Sequence, residues 1–198
     1  MLIRLKVFCL TALLVGVSCI GASAQAILKP PFGLRWGDSP EKLVAWSQEH
    51  DLNLTIRLPG KQPGLSLLRI DSGDENLPDS KASALEARFL NGQLFEIALD
   101  YADSDATANE MEARFEAIKK QTSAEYGALR TNQQQRAVAD QFVTRTRSFH
   151  HEPVKGLFLL LAYTEVEDLL RKSKSSRFSL IYRNDNFRKE LEKTLGQP

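Results

Sequence analysis

Cysteine is nearly absent from this chain. Two cysteines occur in 198 residues, and both, Cys9 and Cys19, lie within residues 1–26. A disulfide-dense scaffold is therefore excluded. Glycine and proline are also scarce, with 11 and 8 residues, which excludes a fibrous repeat protein. The net charge is only +1. Proteins that bind nucleic acid by electrostatic attraction are usually much more basic, so we expect no nucleic-acid partner.

What the chain contains is the composition of a globular protein. Apolar residues make up 42% of it and charged residues 26%, values that exclude a wholly disordered chain. The longest apolar stretch after residue 26 covers residues 156–163. It suits a buried strand and is much shorter than the roughly 20 residues of a membrane-spanning helix. Because no linker or shift in composition interrupts residues 27–198, we predict a single α+β domain there.

Residues 1–26 have the pattern of a secretory signal peptide. Arg4 and Lys6 form a charged start, and residues 7–17 form an uncharged apolar core. Small residues follow, with two overlapping Ala-x-Ala motifs that allow cleavage after Ala24 or Ala26. We therefore predict a bacterial protein that is periplasmic or secreted and has no transmembrane span after cleavage.

Two alternatives to cleavage remain open. An uncleaved membrane anchor needs residues 18–26 to be counted with the apolar core. A lipoprotein modified at Cys19 needs a branched apolar residue three positions earlier, where this chain has Gly16.

Two elements are predicted after the signal peptide. Residues 32–36 alternate apolar and polar side chains as a strand does, and Ser39-Pro40 is a typical start of a helix. Trp36 and Trp46 occupy apolar positions of these two elements. We therefore expect both to pack in the core, although tryptophans at these positions could instead line a ligand cleft.

Alternation also predicts two hairpins, and the second allows a choice of register. Its turn contains Asn91-Gly92. A two-residue turn there would pair Arg88 with Phe95 and oppose charges to the apolar face. A three-residue loop over 90–92 pairs Ala87 with Phe95 and matches the two apolar faces, so we expect that loop.

The remaining elements follow from periodicity and capping residues. In chain order we expect a half-buried strand over 52–58 with an antiparallel partner at 65–70, a helix from a cap at Asp103–Asp105 to about Tyr126, a polar loop over 131–136, strands at 141–149 and 156–163, a short helix after the capping pattern Thr164-x-x-Glu167, a basic loop over 171–177, a last strand from Phe178, and a terminal helix capped by Asn184 or Asp185.

The predicted order of elements is β-α-β-β-β-β-α-β-β-β-α. It contains two units of a helix followed by antiparallel strands, at 38–101 and 104–183. The fold class we expect is α+β, an antiparallel sheet with helices packed on one face.

Residues 32–41, with the sequence FGLRWGDSPE, resemble the opening of many uncharacterised bacterial secreted proteins. Those proteins share an F-G-x-x-[FW]-G-x-[ST]-x-[DE] pattern after a signal peptide. The order of helix and strands is similar to small periplasmic α+β modules, including the beta-lactamase-inhibitor-like group. The resemblance covers this one segment and the topology, and it supplies no catalytic residue. It implies a role in binding or assembly.

Two clusters carry the residue types of metal ligands without the spacing of a metal site. His150, His151 and Glu152 are adjacent, and adjacent strand residues point to opposite faces, so they could share an ion only in a turn before Pro153. The acids within residues 71–79 do not follow the EF-hand spacing. We expect an exposed strand end and a solvated loop at these places, and we predict neither a metal nor a cofactor.

One dense basic cluster stands out, formed by Arg171, Lys172, Lys174 and Arg177. These are the candidate binding residues, for an anionic surface such as lipid headgroups or an acidic partner. The alternative is a solvated basic loop.

The motifs of several enzyme classes are missing. The sequence has no G-x-S-x-G motif, no glycine-rich phosphate loop and no cysteine after residue 26. We therefore predict an exported, non-enzymatic binding or protein-interaction module, whose partner is an unidentified protein or small ligand of the cell envelope. The first alternative is a small periplasmic hydrolase or ligand-processing enzyme, with a site around His150, His151 and the acidic loop. The second is an envelope-associated protein that uses a basic C-terminal surface.

Overall fold

A computed structural model describes residues 28–57, 63–73, 76–78 and 80–195. The predicted signal peptide and part of the acidic loop therefore lie outside the described residues. The elements in chain order are α1 (Pro40–Glu49), β1 (Asn53–Arg57), β2 (Leu65–Asp71), β3 (Ala84–Leu90), β4 (Gln93–Ala102), α2 (Ala108–Tyr126), β5 (Arg130–Ala139), β6 (Phe142–Val154), β7 (Leu157–Asp168), β8 (Ser173–Asn184) and α3 (Asp185–Leu195).

One antiparallel sheet contains eight strands, in the order β1-β2-β3-β4-β8-β7-β6-β5. With its three helices it has the α+β architecture expected from the sequence. The centre of the sheet is the pair β4 and β8, which joins the strands of the first half of the chain to those of the second. The edge strands are β1 and β5.

Apolar side chains of neighbouring strands meet on one face of the sheet. Leu99 lies opposite both Leu85 on β3 and Leu180 on β8, so all three point to the same side. From α2, Phe115 is fully buried against this face, with its ring centroid 5.6 Å from that of Phe178 and 5.1 Å from that of Tyr163. Burial of these rings holds α2 on the second half of the sheet.

The expected strand at 32–36 is wrong, because the backbone turns there. Phe32 and Gly33 have φ of 59° and 68°, a conformation that cannot continue a strand. The segment instead meets the start of β4, where Gly37 N–H donates to the carbonyl of Leu94 at 2.9 Å. The apolar side chains of this segment are partly or fully buried without strand geometry.

The hairpin of β3 and β4 has a different register from the one we expected. Asn91 and Gly92 form a two-residue turn with φ of 52° and 72°, and Ala87 lies opposite Ile97. A bulge follows the turn, because Arg88 pairs with Glu96 whereas Phe89 pairs with Leu94. The extra residue of the bulge restores the match between the apolar faces.

The expected polar loop at 131–136 is also wrong, since these residues belong to β5. Every residue of β5 is exposed, and its pairing partner is β6. An edge strand that packs against nothing on either face has no apolar alternation, which is why its composition resembled a loop.

The short helix expected after Thr164 is strand instead, and so are residues 173–177 of the expected basic loop, of which only 171 and 172 lie in a turn. β7 continues to Asp168, and Arg145 on β6 binds the side chains of Glu165 and Glu167 at 2.6 and 2.9 Å. These cross-strand ion pairs explain the charged residues that resembled a capping pattern. The turn to β8 occupies only residues 169–172.

The helices begin near the positions that capping residues predict. Thr107, and not Asp103–Asp105, caps α2 through a capping box with Glu110, and Gly127 ends that helix as expected. Asn184 caps α3, where its side-chain oxygen accepts from Phe187 N–H at 2.9 Å. Ser39 precedes α1 without a side-chain hydrogen bond to the helix backbone.

Candidate functional site

A cleft of about 1080 Å³ lies over the centre of the sheet, between the sheet and α2. Its floor is formed by side chains of β4 and β8 on the apolar face: Leu99, Tyr101, Phe178, Leu180 and Tyr182. They share one side because the register places Leu99 opposite Leu180 and Tyr101 opposite Phe178. None of the five is more than 9% exposed, so only a small part of each side chain faces the cleft.

One wall of the cleft is formed by α2, from which Ala113, Ala117 and Ile118 line the cleft. Ala113 and Ala117 are four residues apart and so lie one above the other on the same side of the helix. The two alanines are exposed and small, and they leave space between the helix and the opposite wall.

The opposite wall is aromatic. Phe32 and Trp46 contribute their rings, with centroids 4.7 Å apart. Trp46 lies on α1 and is only half-buried. The ring of His50, at the end of the same helix, meets the ring of Trp46 in an edge-on arrangement with centroids 5.2 Å apart. Phe32 adopts φ of 59°, which is unfavourable for a bulky side chain. The fold therefore maintains a strained residue at the rim of the cleft.

Neutral hydroxyl groups supply polar character near the floor. Burial raises the pKa of Tyr101, and a hydrogen bond with Ser80 opposes that effect in part. Burial, with a smaller contribution from the neighbouring Tyr126, also raises the pKa of Tyr182. Both phenols are therefore protonated at neutral pH, and each has a hydroxyl group that can donate or accept a hydrogen bond.

Charged side chains border the cleft at its rim. Arg114 is held by Asp103 at 2.9 Å, whereas Lys81 and Glu125 are exposed. Since the floor is apolar or phenolic, the cleft is suited to an apolar molecule that carries a small polar group.

Both Trp36 and Trp46 are partly buried and pack against the core. Trp36 donates its indole N–H to the carbonyl of Leu28 at 3.1 Å, as a packed tryptophan does. Trp46 also lines the cleft, which is the alternative that its position left open.

The histidine cluster is not part of the cleft. His150 and His151 are consecutive residues of β6, so their side chains project to opposite faces. The carboxylate of Glu152 accepts the backbone N–H of Gly156. In the described part of the chain, no group of three or more His, Cys, Asp or Glu side chains could hold a metal ion.

The acidic segment at 71–79 is described only in part. Asp71 ends β2, and its carboxylate binds Arg69 at 2.9 Å. Asp74, Glu75 and Asp79 lie outside the described residues.

The four basic candidates lie at and near one end of a hairpin, away from the residues that line the cleft. Arg171 and Lys172 are in the turn between β7 and β8, and Lys174 and Arg177 follow on β8. Arg171 approaches Asp168 at 3.8 Å and Lys174 approaches Glu165 at 3.7 Å. Even so, all four side chains are exposed.

Comparison with protein-family models, with curated proteins and with solved structures gave no match to this chain. The resemblance of residues 32–41 to the opening of bacterial secreted proteins therefore stays a prediction. None of the helices in the described ranges has the length and apolar character needed to span a bilayer.

Proposed function

We propose that this chain is an exported, non-enzymatic binding module that holds an apolar small molecule in the cleft over β4 and β8. The cleft itself supports the proposal. Its volume of about 1080 Å³ is at the upper end of the range typical of ligand sites, and its lining combines an aromatic wall and an apolar floor with polar and charged side chains at the rim.

The shape of the cleft favours a flat or chain-like ligand. Tyr101 and Phe178 stack in the floor, with ring centroids 4.4 Å apart and planes inclined by 10°. A thin apolar molecule can lie along this stack with Trp46 on one side and Ala117 on the other. The protonated hydroxyl groups of Tyr101 and Tyr182 can then bind a carbonyl or hydroxyl group of the ligand.

The arrangement of helices supports the same function. We infer that α1 and α2 cover the same face of the sheet, because Trp46 of α1 and Ile118 of α2 both line the cleft. Each of these helices precedes four strands of the sheet, in keeping with two helix-then-strands units. The ligand then lies between the two units, above the strands that join them.

The enzyme alternative receives no comparable support. It requires a pocket around His150, His151 and the acidic loop, whereas the residues that line the cleft include none of these. The lining of the cleft contains no histidine that could act as a general base toward its serine and threonine hydroxyl groups.

We also propose that the chain is exported, from the signal-peptide pattern of residues 1–26. Expression of the full chain in a Gram-negative host, followed by cell fractionation and N-terminal sequencing, tests this. We expect periplasmic protein that begins at Gln25 or Ile27. Uncleaved protein in the cytoplasm would contradict export.

Binding can be tested with N-phenyl-1-naphthylamine, a neutral, flat apolar probe that fluoresces when it leaves water. We expect saturable binding to the purified protein. Ala117→Phe should fill part of the cleft and weaken binding about tenfold, because overfilling an apolar site typically costs about 1–3 kcal/mol. Ala124→Phe is the matched control, because Ala124 is also exposed on α2 but does not line the cleft.

Two results would contradict the proposal. One is the absence of saturable binding to a protein whose circular dichroism shows it to be folded. The other is an equal effect of Ala117→Phe and Ala124→Phe, which would place the probe elsewhere. Where the probe binds in the cleft, native mass spectrometry of protein from the periplasm identifies the natural ligand by its mass.

A further inference from the structure

Two hairpin turns project from the sheet at one end. The pairing of β4 with β8 ends at Ala102 opposite Arg177, but β7 and β8 continue to Asp168 opposite Ser173. The strands β5 to β8 therefore extend beyond the first half of the sheet. A hydrogen bond of 2.8 Å from Leu169 N–H to the carbonyl of Gln141 holds the turn of β7 and β8 beside the turn of β5 and β6.

Large apolar side chains are exposed at the end of this projection, which we call the apolar tip. It comprises Val138, Phe142, Leu169 and Leu170, which are 56%, 41%, 50% and 74% exposed. Ile56 and Val154 are the other large apolar side chains that are exposed in the described residues, and they belong to other parts of the sheet. A concentration of exposed apolar surface at two joined turns indicates a contact surface.

Basic side chains surround the apolar tip. Arg171 and Lys172 lie in the same turn as Leu170. Lys174 lies on β8 just after this turn, and Arg136 lies on β5 just before the other turn. Arg171 is the most exposed of the cations with an ion pair, with 84% of its side chain accessible.

Three of the four acids nearby are engaged. Glu165 and Glu167 bind Arg145, and Asp168 accepts the backbone N–H groups of Leu170 and Arg171 at 3.0 and 3.1 Å. The fourth, Asp140, is exposed in the turn of β5 and β6. Because four cations are exposed around the tip against this one exposed acid, the accessible charge there is mainly positive.

We propose that the apolar tip inserts into the headgroup region of an anionic lipid bilayer. The surface is the projecting end of two joined turns, where Leu169 and Leu170 share a turn with Arg171 and Lys172. Exposed apolar side chains bordered by cations match the surface of an anionic bilayer, in which the acyl chains lie beneath the negative headgroups. A bilayer deforms around projecting turns, whereas a protein partner would need a matching cavity as well as acidic groups.

The test uses the full chain and sedimentation with vesicles, either of phosphatidylcholine alone or with phosphatidylglycerol. We expect binding to the anionic vesicles at low salt, which weakens as salt screens the charges. Leu170→Ser should lower the partition coefficient about tenfold by removing a buried apolar contact. Lys172→Glu should lower it at least about fivefold through the electrostatic term.

Each variant has a matched control elsewhere on the molecule. Ile56→Ser removes an apolar side chain that is 59% exposed on the opposite edge strand. Lys120→Glu makes the same change of charge on α2, where the side chain is exposed. Both controls should bind anionic vesicles as the unaltered protein does.

Several outcomes would overturn the proposal. The absence of binding to anionic vesicles at low salt is one, and an equal loss in Ile56→Ser and Leu170→Ser is another. A loss in Lys172→Glu alone would show adsorption by charge without insertion. Binding to soluble polyglutamate with the same dependence on Leu170 and Lys172, but not to vesicles, would assign the tip to an acidic protein partner instead.

Discussion

Tyr101 and Phe178 stack across the central strand pair, with ring centroids 4.4 Å apart and an angle of 10° between the rings. Tyr101 belongs to the first half of the chain and Phe178 to the second, so the contact joins the two halves of the sheet. The same pair forms part of the floor of the cleft. Stability and the proposed binding site therefore depend on the same side chains.

Truncation of this stack tests its contribution to stability. Phe178 is 2% exposed and also contacts Phe115, so Phe178→Ala should lower the free energy of unfolding by about 3–5 kcal/mol. Phe142→Ala removes the same atoms from a side chain that is 41% exposed, and it should cost about 1 kcal/mol or less. Urea unfolding measures both, and equal losses would contradict the assignment of Phe178 to the core.

The strands of this central region could be predicted because their faces differ. Phe178, Leu180 and Tyr182 occupy every second position, and the structure buries all three on one face, whereas the side chains between them, including Ile181, are less buried. The edge strand β5 could not be predicted, because it is exposed on both faces and its sequence therefore lacks the alternation of apolar and polar residues that identifies a strand. Hydrophobic periodicity reports burial, and strand pairing alone leaves no such pattern.

The hairpin of β3 and β4 shows a second limit. Matching apolar faces was the right criterion, but two solutions satisfy it. We expected a longer loop, whereas the chain uses a two-residue turn at Asn91-Gly92 and a bulge beside Phe89. The alternation of apolar and polar residues does not distinguish these two solutions, because each places the apolar side chains of both strands on one face.

The cleft was not predictable for a similar reason. Its lining joins Phe32 and Trp46 to Tyr182, residues from opposite ends of the chain. Trp46 has the helical spacing of a core residue, and only the position of α1 relative to α2 decides whether its ring is covered. The basic cluster could be identified in the sequence. That Leu169 and Leu170 belong to an exposed apolar surface is known only from the structure, which places them in an exposed turn.

Glu96 should give the protein an unusual dependence of stability on pH. Its carboxylate is buried on β4, near Arg88 at 3.3 Å and Arg183 at 3.8 Å. Burial raises the pKa of Glu96 above 4.5, although the two arginines oppose the shift. The folded protein therefore keeps this proton to a higher pH than the unfolded chain. The stability from this proton is present below about pH 4.5 and is lost as pH rises through the raised pKa.

Comparison with a neutral variant isolates this effect. Relative to Glu96→Gln, the unaltered protein should lose stability as the pH rises from 4 to 7, measured by urea unfolding. Asp103 provides a control of opposite sign. Hydrogen bonds from the backbone of Asp105 and the side chain of Arg114 lower the pKa of Asp103. Relative to Asp103→Asn, the unaltered protein should therefore gain stability as pH rises from 3. Differences of the same sign for both pairs would refute the assignment for Glu96.

Thr107 and Ser39, the N-cap residues of α2 and α1, should differ in how much each contributes to the free energy of unfolding. The Thr107 side chain accepts a hydrogen bond from Glu110 N–H and completes a capping box, whereas Ser39 makes no such bond to the backbone of α1. Thr107→Ala should therefore lower the free energy of unfolding by about 1 kcal/mol. Ser39→Ala should cost less than about 0.5 kcal/mol, as a substitution at an exposed position away from a cap contact does. Urea unfolding of both variants tests this, and an equal loss would show that the identity of the N-cap residue matters more here than its hydrogen bond. In that case Ser39 would stabilise α1 through its side-chain hydrogen bond with Glu41, since it makes no side-chain bond to the backbone of the helix.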